Sequence, residues 1–180
     1  MLTLANLPLL LQEVHRDFGA KRIWLTEYGY QTNPPDRSGV SRSVQAQYLA
    51  ESALRAKSAR FVDVLIHFIV EDETRLAGWQ SGLLTAAGVA KPAFNSFMLP
   101  IAQAARTGLR TTIWGQVRAG FGKRAYRLQR LAGGRWVNVG GPAQTDLRGS
   151  YTRVVRAAKG TRFRVLWLPS RTASRSIVVH

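Results

Sequence analysis

The spacing of apolar residues changes once along this chain, and that change sets which folds are open to it. Up to about residue 105 the apolar side chains fall in alternating helix-like and strand-like segments. From Thr111 onward they fall in short alternating runs separated by glycine-rich turns. In the first part, Leu7, Leu11, Val14 and Phe18 recur on one face of a helix that begins near Pro8 and stops at Gly19. Residues 22–27 predict a buried parallel strand around Trp24 and Leu25, ended by Gly29 and the loop from Gln31 to Asp36, which holds Pro34 and Pro35. Ser41 or Ser43 can cap an alanine-rich helix over Val44–Ala59, and Phe61–Val70 predicts a second buried strand. Helix, strand, helix, strand is the order of a parallel α/β architecture. Pro92 suits a first turn, so Asn95–Ala105 is expected to form a closing helix.

The later runs are Thr111–Arg118, Tyr126–Leu131, Trp136–Val139, Ser150–Ala157, Arg162–Leu168 and Ser176–Val179, divided notably by Gly133-Gly134 and Gly140-Gly141. Their number and spacing predict a small β-sandwich, with Trp114, Trp136 and Trp167 in the core between its sheets. Charge changes at the same place. Residues 1–100 carry ten Lys or Arg against nine Asp or Glu, whereas residues 101–180 carry sixteen against one. The two signals together predict domains at 1–105 and 109–180. Fourteen of the sixteen basic residues are Arg, spread through the strands. Such a surface attracts anionic polysaccharide, nucleic acid or an acidic partner, or is simply a solvated arginine-rich face.

Several classes are excluded. The chain has no cysteine, so disulfide frameworks and thiolate metal sites are ruled out, and its three histidines, His15, His67 and His180, show no metal-ligand spacing. No apolar run reaches the roughly 18 residues of a membrane span. The apolar opening Met1–Leu11 lacks the basic start and cleavage site of a signal peptide and continues into the first helix. No phosphate-cradling glycine loop or nucleic-acid motif occurs, and nothing calls for a metal or a cofactor.

Ile23-Trp24-Leu25-Thr26-Glu27-Tyr28-Gly29-Tyr30 delivers one carboxylate at the C-terminal end of the first strand, which in a (β/α)8 barrel is the active-site face. Glu27 is therefore the candidate catalytic residue, the alternative being a structural carboxylate paired with an arginine. Tyr28 and Tyr30 either orient Glu27 or serve as packing. Trp79 is either a ring for stacking on a ligand or a core or loop anchor. Glu71-Asp72-Glu73 follows the second strand. Adjacent loop side chains seldom converge on one ligand, so these are expected as solvated charges or as a salt bridge to Arg75.

Thr26-Glu27-Tyr28-Gly29, then Gly78-Trp79-Gln80-Ser81-Gly82-Leu83-Leu84, then Lys91-Pro92-Ala93-Phe94 together resemble the C-terminal end of clan A retaining glycoside hydrolases, such as cellulase-type enzymes. The resemblance covers roughly residues 3–100. It implies that the first domain is the last two β/α units of a TIM barrel, that Glu27 is the nucleophile, that Tyr28 and Tyr30 orient it or border a sugar subsite, that Trp79 stacks on a sugar face, and that His67 and Phe68 lie where the family places an aromatic platform, His67 either hydrogen-bonding a sugar hydroxyl or being a satisfied interior histidine. Trp114–Arg118, Tyr126–Arg130 and Trp136 resemble the Ig-like or fibronectin-like accessory sandwiches that follow bacterial hydrolase barrels.

Retaining hydrolysis needs a second carboxyl group about 5–5.5 Å from the nucleophile. The family's acid/base glutamate follows an asparagine, and no Asn-Glu pair occurs in this sequence. The resemblance therefore implies a C-terminal portion of a secreted, bacterial-type glycosidase acting on a carbohydrate, this chain alone being inactive and prone to self-association through the incomplete barrel. The rival reading is a non-catalytic module whose Arg-rich sandwich binds anionic polysaccharide or nucleic acid.

Overall fold

The computed structural model describes residues 4–180. Met1, Leu2 and Thr3 of the apolar opening lie outside the described residues. The chain forms two compact units, Met1–Ala93 and Phe94–His180.

In the first unit, helix α1 spans Leu7–Phe18, with proline in its first turn and Gly19 as its C-cap. Leu7 is buried, Leu11 and Val14 are half-buried and Phe18 is 67% exposed, so cover over the expected apolar stripe thins toward its end. Strand β1 (Ile23–Tyr28) runs parallel to β4 (Val62–His67). Two-residue strands β2 (Thr32–Asn33) and β3 (Val40–Ser41) pair in the loop between them, ahead of helix α2 (Arg42–Ser58). The β1–α2–β4 path is a parallel crossover, the connection that parallel strands require.

Ser41 caps α2 by accepting a hydrogen bond from the Val44 amide at 3.3 Å. The helix turns Gln45, Ala46, Leu49, Ala50, Ser52, Ala53 and Ala56 inward. These recur at three- and four-residue spacing, and most are small, so α2 can lie close to its neighbours; it packs against β4.

The parallel sheet of this unit has only β1 and β4 among the described residues and does not close a barrel. One expectation fails here: the strands are not buried on both faces. Trp24 is 66% exposed, and Ile66, two residues beyond its partner Val64 on the same face, is exposed as well. A sheet this small keeps an open face, whatever its apolar content.

Helix α3 (Pro92–Met98) is shorter than expected, and the residues after it form strand β5 (Ile101–Thr107). Pro100 lacks the amide that a continuing helix needs. Ile101 and Ala102 then pair with Gly115 and Trp114 on β6 (Arg110–Gln116), so sheet pairing overrides the helix preference of an alanine-rich stretch.

The second unit is all β after α3. One antiparallel sheet has the order β10 (Ser150–Arg156), β6, β5. The other has β12 (Thr172–Ala173), β11 (Arg162–Trp167), β7 (Ala125–Ala132) and β8 (Arg135–Asn138), with β9 (Ala143–Gln144) on β7 and β13 (Ile177–Val178) on β11. Residues from both sheets, among them Ile101, Ile113, Leu128, Tyr151, Phe163 and Val165, form one apolar cluster. The chain is thus mostly β-strand with few helices.

The tryptophans part company. Trp167 packs against the core cluster. Trp114 is buried but stands outside that cluster, its neighbour Ile113 facing inward instead. Trp136 takes neither place; its ring lies under the Arg164 guanidinium at 4.4 Å. Alternation along a strand reports two faces but not which one meets the other sheet.

Candidate functional site

The C-terminal ends of β1 and β4 gather most of the residues that the sequence singles out. Leu25 is paired with Leu65 and Tyr28 with His67, so Thr26 and Glu27 together oppose the single residue Ile66. This bulge breaks the strand's alternation and leaves both Thr26 and Glu27 exposed. The Glu27 carboxylate accepts no hydrogen bond and joins no ion pair among the described residues.

Beside it, Tyr28 meets His67 edge-on with ring centroids 5.5 Å apart, and Tyr30 at 6.3 Å. Tyr30 is anchored below: its hydroxyl lies 2.7 Å from Ser52 Oγ on α2, and its ring packs on Tyr48 at 5.1 Å. Burial pushes the Tyr30 phenol above the usual tyrosine range. Half-buried His67 places Nε2 2.9 Å from the Ser81 carbonyl. A carbonyl only accepts, so Nε2 carries a proton in this contact. The Ser81 hydroxyl in turn donates to the Phe68 carbonyl. Trp79, 52% exposed, stands edge-on to Phe68 at 5.7 Å.

Gly29 follows this group for a steric reason. A Cβ there would lie 2.8 Å from Ser81 Cβ and against the Phe68 carbonyl oxygen. The strand end, His67, Phe68 and Ser81 are in this way locked at close range.

Beneath the rim lies a polar network that the sequence did not disclose. Lys91 Nζ and Asp72 Oδ2 are 2.6 Å apart, with side chains 0% and 2% exposed. Lys91 also donates to Thr32 Oγ1 at 2.9 Å and the Gln80 carbonyl at 3.2 Å, and Asp72 accepts from the Gly82 amide at 2.8 Å. Burial lowers the Lys91 pKa, against the opposing pull of Asp72. Gln45 on α2 donates to the Ser81 and Gly82 carbonyls at 3.0 and 3.1 Å. Gln80 donates to the Glu73 and Arg75 carbonyls. Asp72 is therefore neither solvated nor paired with Arg75, as its neighbours in an acidic run had suggested. The only sequence signal for this network was Lys91 in Lys-Pro-Ala-Phe, and nothing local marks a lysine as buried.

The remaining carboxylates near strand ends and loops are committed or exposed. Asp63 pairs with Arg22, Asp36 holds its turn by accepting from Ser38, and Glu71 and Glu73 face solvent. Ser38 donors keep the Asp36 carboxyl below the usual carboxylate range. No group of three or more His, Cys, Asp or Glu side chains could hold a metal ion among the described residues. No helix among them is long and apolar enough to cross a membrane.

No family model matches this chain, and no curated protein matches it. Among solved structures it is similar to Bacteroides uniformis beta-glucuronidase 2 covalently bound to cyclophellitol-6-carboxylate aziridine, at 12% identity and a TM-score of 0.46, covering 98% of this chain and 24% of that one. It is also similar to a calcium-binding mutant of the same enzyme, at 12% identity and a TM-score of 0.47, covering 98% of this chain and 23% of that one. The chain thus spans about a quarter of the length of these structures. At this TM-score the likeness bears on neither the chemistry nor the role of any residue.

Proposed function

We propose that this chain is the C-terminal part of a retaining glycoside hydrolase with Glu27 as its nucleophile. One observation carries the reading: Glu27 is an exposed carboxylate, unpaired among the described residues and set forward by a bulge at the C-terminal end of a parallel strand. The Tyr28–His67 ring pair adjoins that strand end.

In this reading a Glu27 oxygen attacks the anomeric carbon as the bond to the leaving oxygen breaks, and a second carboxyl group gives that oxygen its proton. Water then displaces Glu27, losing a proton to the same second group. Asp72 is spent on Lys91 and Asp63 on Arg22, so neither serves as that second carboxyl, and the Asn-Glu pair that carries it in the family is absent from this sequence. Tyr28 borders the reacting sugar, and His67, fixed by Ser81, orients Tyr28. Trp79 offers its exposed ring to a sugar face.

The test uses the protein in which this chain is joined to that second carboxylate. Glu27→Ala abolishes turnover of an aryl glycoside, and added azide restores it with a glycosyl azide of inverted configuration as product. Turnover by the variant without azide would remove Glu27 from the role, and so would a failure of azide to rescue.

A further inference from the structure

Sixteen basic residues share the second unit with one acid, Asp146, and that acid is occupied in its own turn, accepting from the Arg148 and Ser150 amides at 2.9 and 2.8 Å. The basic side chains of this unit therefore far outnumber its acidic ones. At one end of β7 and β11 a cleft of about 380 Å³ is lined by Arg130, Leu131, Ala132, Gly160, Thr161 and Arg162. Neither the Arg130 nor the Arg162 guanidinium has a hydrogen-bond or ion-pair partner among the described residues. Leu131, Ala132, Gly160 and Thr161 complete the lining.

The neighbouring sheet face is rigid and polar. Leu131 pairs across the strands with Trp136, and Gln129 with Asn138 and Arg164. Arg164 Nε donates to Gln129 Oε1 at 2.9 Å, and Gln129 Nε2 to Asn138 Oδ1 at 3.1 Å. Arg164 also lies over the Trp136 ring at 4.4 Å. Partial burial lowers its pKa without a carboxylate nearby to offset the cost.

We infer that this cleft binds a carboxylate-bearing polysaccharide. A guanidinium fork matches a carboxylate with two parallel N–H···O bonds, and two arginines line the cleft, Arg130 on the sheet face of its partner Phe163 and Arg162 on the other. The volume lies in the range of small-ligand sites and suits a short stretch of glycan. Nucleic acid fits less well, because single strands are held by stacking bases on open aromatic rings. The cleft presents no ring, and the nearby Trp136 is capped by Arg164. This site is independent of Glu27 and stands or falls separately.

The full chain is run by affinity electrophoresis in gels containing polygalacturonate, neutral dextran or single-stranded DNA, across a salt series. Polygalacturonate retards it and dextran does not. Arg130→Ala with Arg162→Ala weakens retardation about tenfold for each guanidinium removed. Arg110→Ala with Arg156→Ala, removing equal charge from the opposite sheet, leaves it within about twofold, as loss of remote screened charge should. Equal loss in both double variants would overturn the site in favour of diffuse charge. So would no retardation of the wild type, or tighter Arg130/Arg162-dependent binding to DNA than to polygalacturonate. Circular dichroism confirms that both variants remain folded.

Discussion

Replacing Lys91 by Met tests whether the buried network holds the candidate site's loops in place. The ammonium is fully enclosed, contacts both Asp72 oxygens and also serves Thr32 and Gln80. Methionine nearly fills the space but donates nothing. Asp72 keeps only the Gly82 amide, and an uncompensated buried charge costs about 3–5 kcal/mol. Because that amide remains, the lower end, about 3 kcal/mol, is expected. The assay is native-state hydrogen exchange at the Leu83 and Leu84 amides, both of which donate to the Val70 carbonyl. Their protection should fall roughly 100-fold, at tenfold per 1.4 kcal/mol. Core amides of β7 and β11 serve as reference. Adding Asp72→Asn should restore most of the loss at neutral pH. A single-variant cost below about 1 kcal/mol, typical of exposed pairs, would refute the reasoning. Failure of the second substitution to compensate would do the same.

Further outcomes follow from close approaches and open faces. Gly29→Ala drives a Cβ against Ser81 and the Phe68 carbonyl, and should destabilise the first unit by about 2 kcal/mol, read by the same exchange experiment; an unchanged rate would show that the strand end is not tightly locked. Tyr151 has a buried hydroxyl with no partner and a ring stacked on Tyr126 at 4.3 Å, so Tyr151→Phe should be neutral or up to about 1 kcal/mol stabilising in a urea titration at pH 7. Burial holds the Tyr151 pKa well above 10.0, so the folded state keeps a proton that the unfolded chain releases. Wild-type stability of the second unit should therefore fall as pH rises beyond about 10, and Tyr151→Phe should flatten that fall. Trp24→Ser with Ile66→Ser should reduce self-association in sedimentation velocity, since these two apolar side chains are exposed on one sheet face; unchanged association would place the contact elsewhere.

What local pattern encodes was legible in the sequence. The helix starting at Pro8 and stopping at Gly19, the Ser41 cap, the alanine-rich α2, both parallel strands and six strands of the second unit follow from apolar spacing and turn residues, because each is decided within a few residues. The carboxylate at the end of β1 was visible for the same reason. The tertiary structure alone decided the rest. Ile101–Thr107 became a strand because β6 offered it backbone partners. The bulge that exposes Glu27 exists only where β1 meets β4, as an extra residue has no meaning on a single strand. Asp72 reached Lys91 across nineteen positions while Arg75 stood three away, since a buried charge takes the partner that shares its enclosure. Composition fixed that the second unit would be basic. Which arginines were left unpaired around a cleft depended on the strands that carry them and the turns that end them.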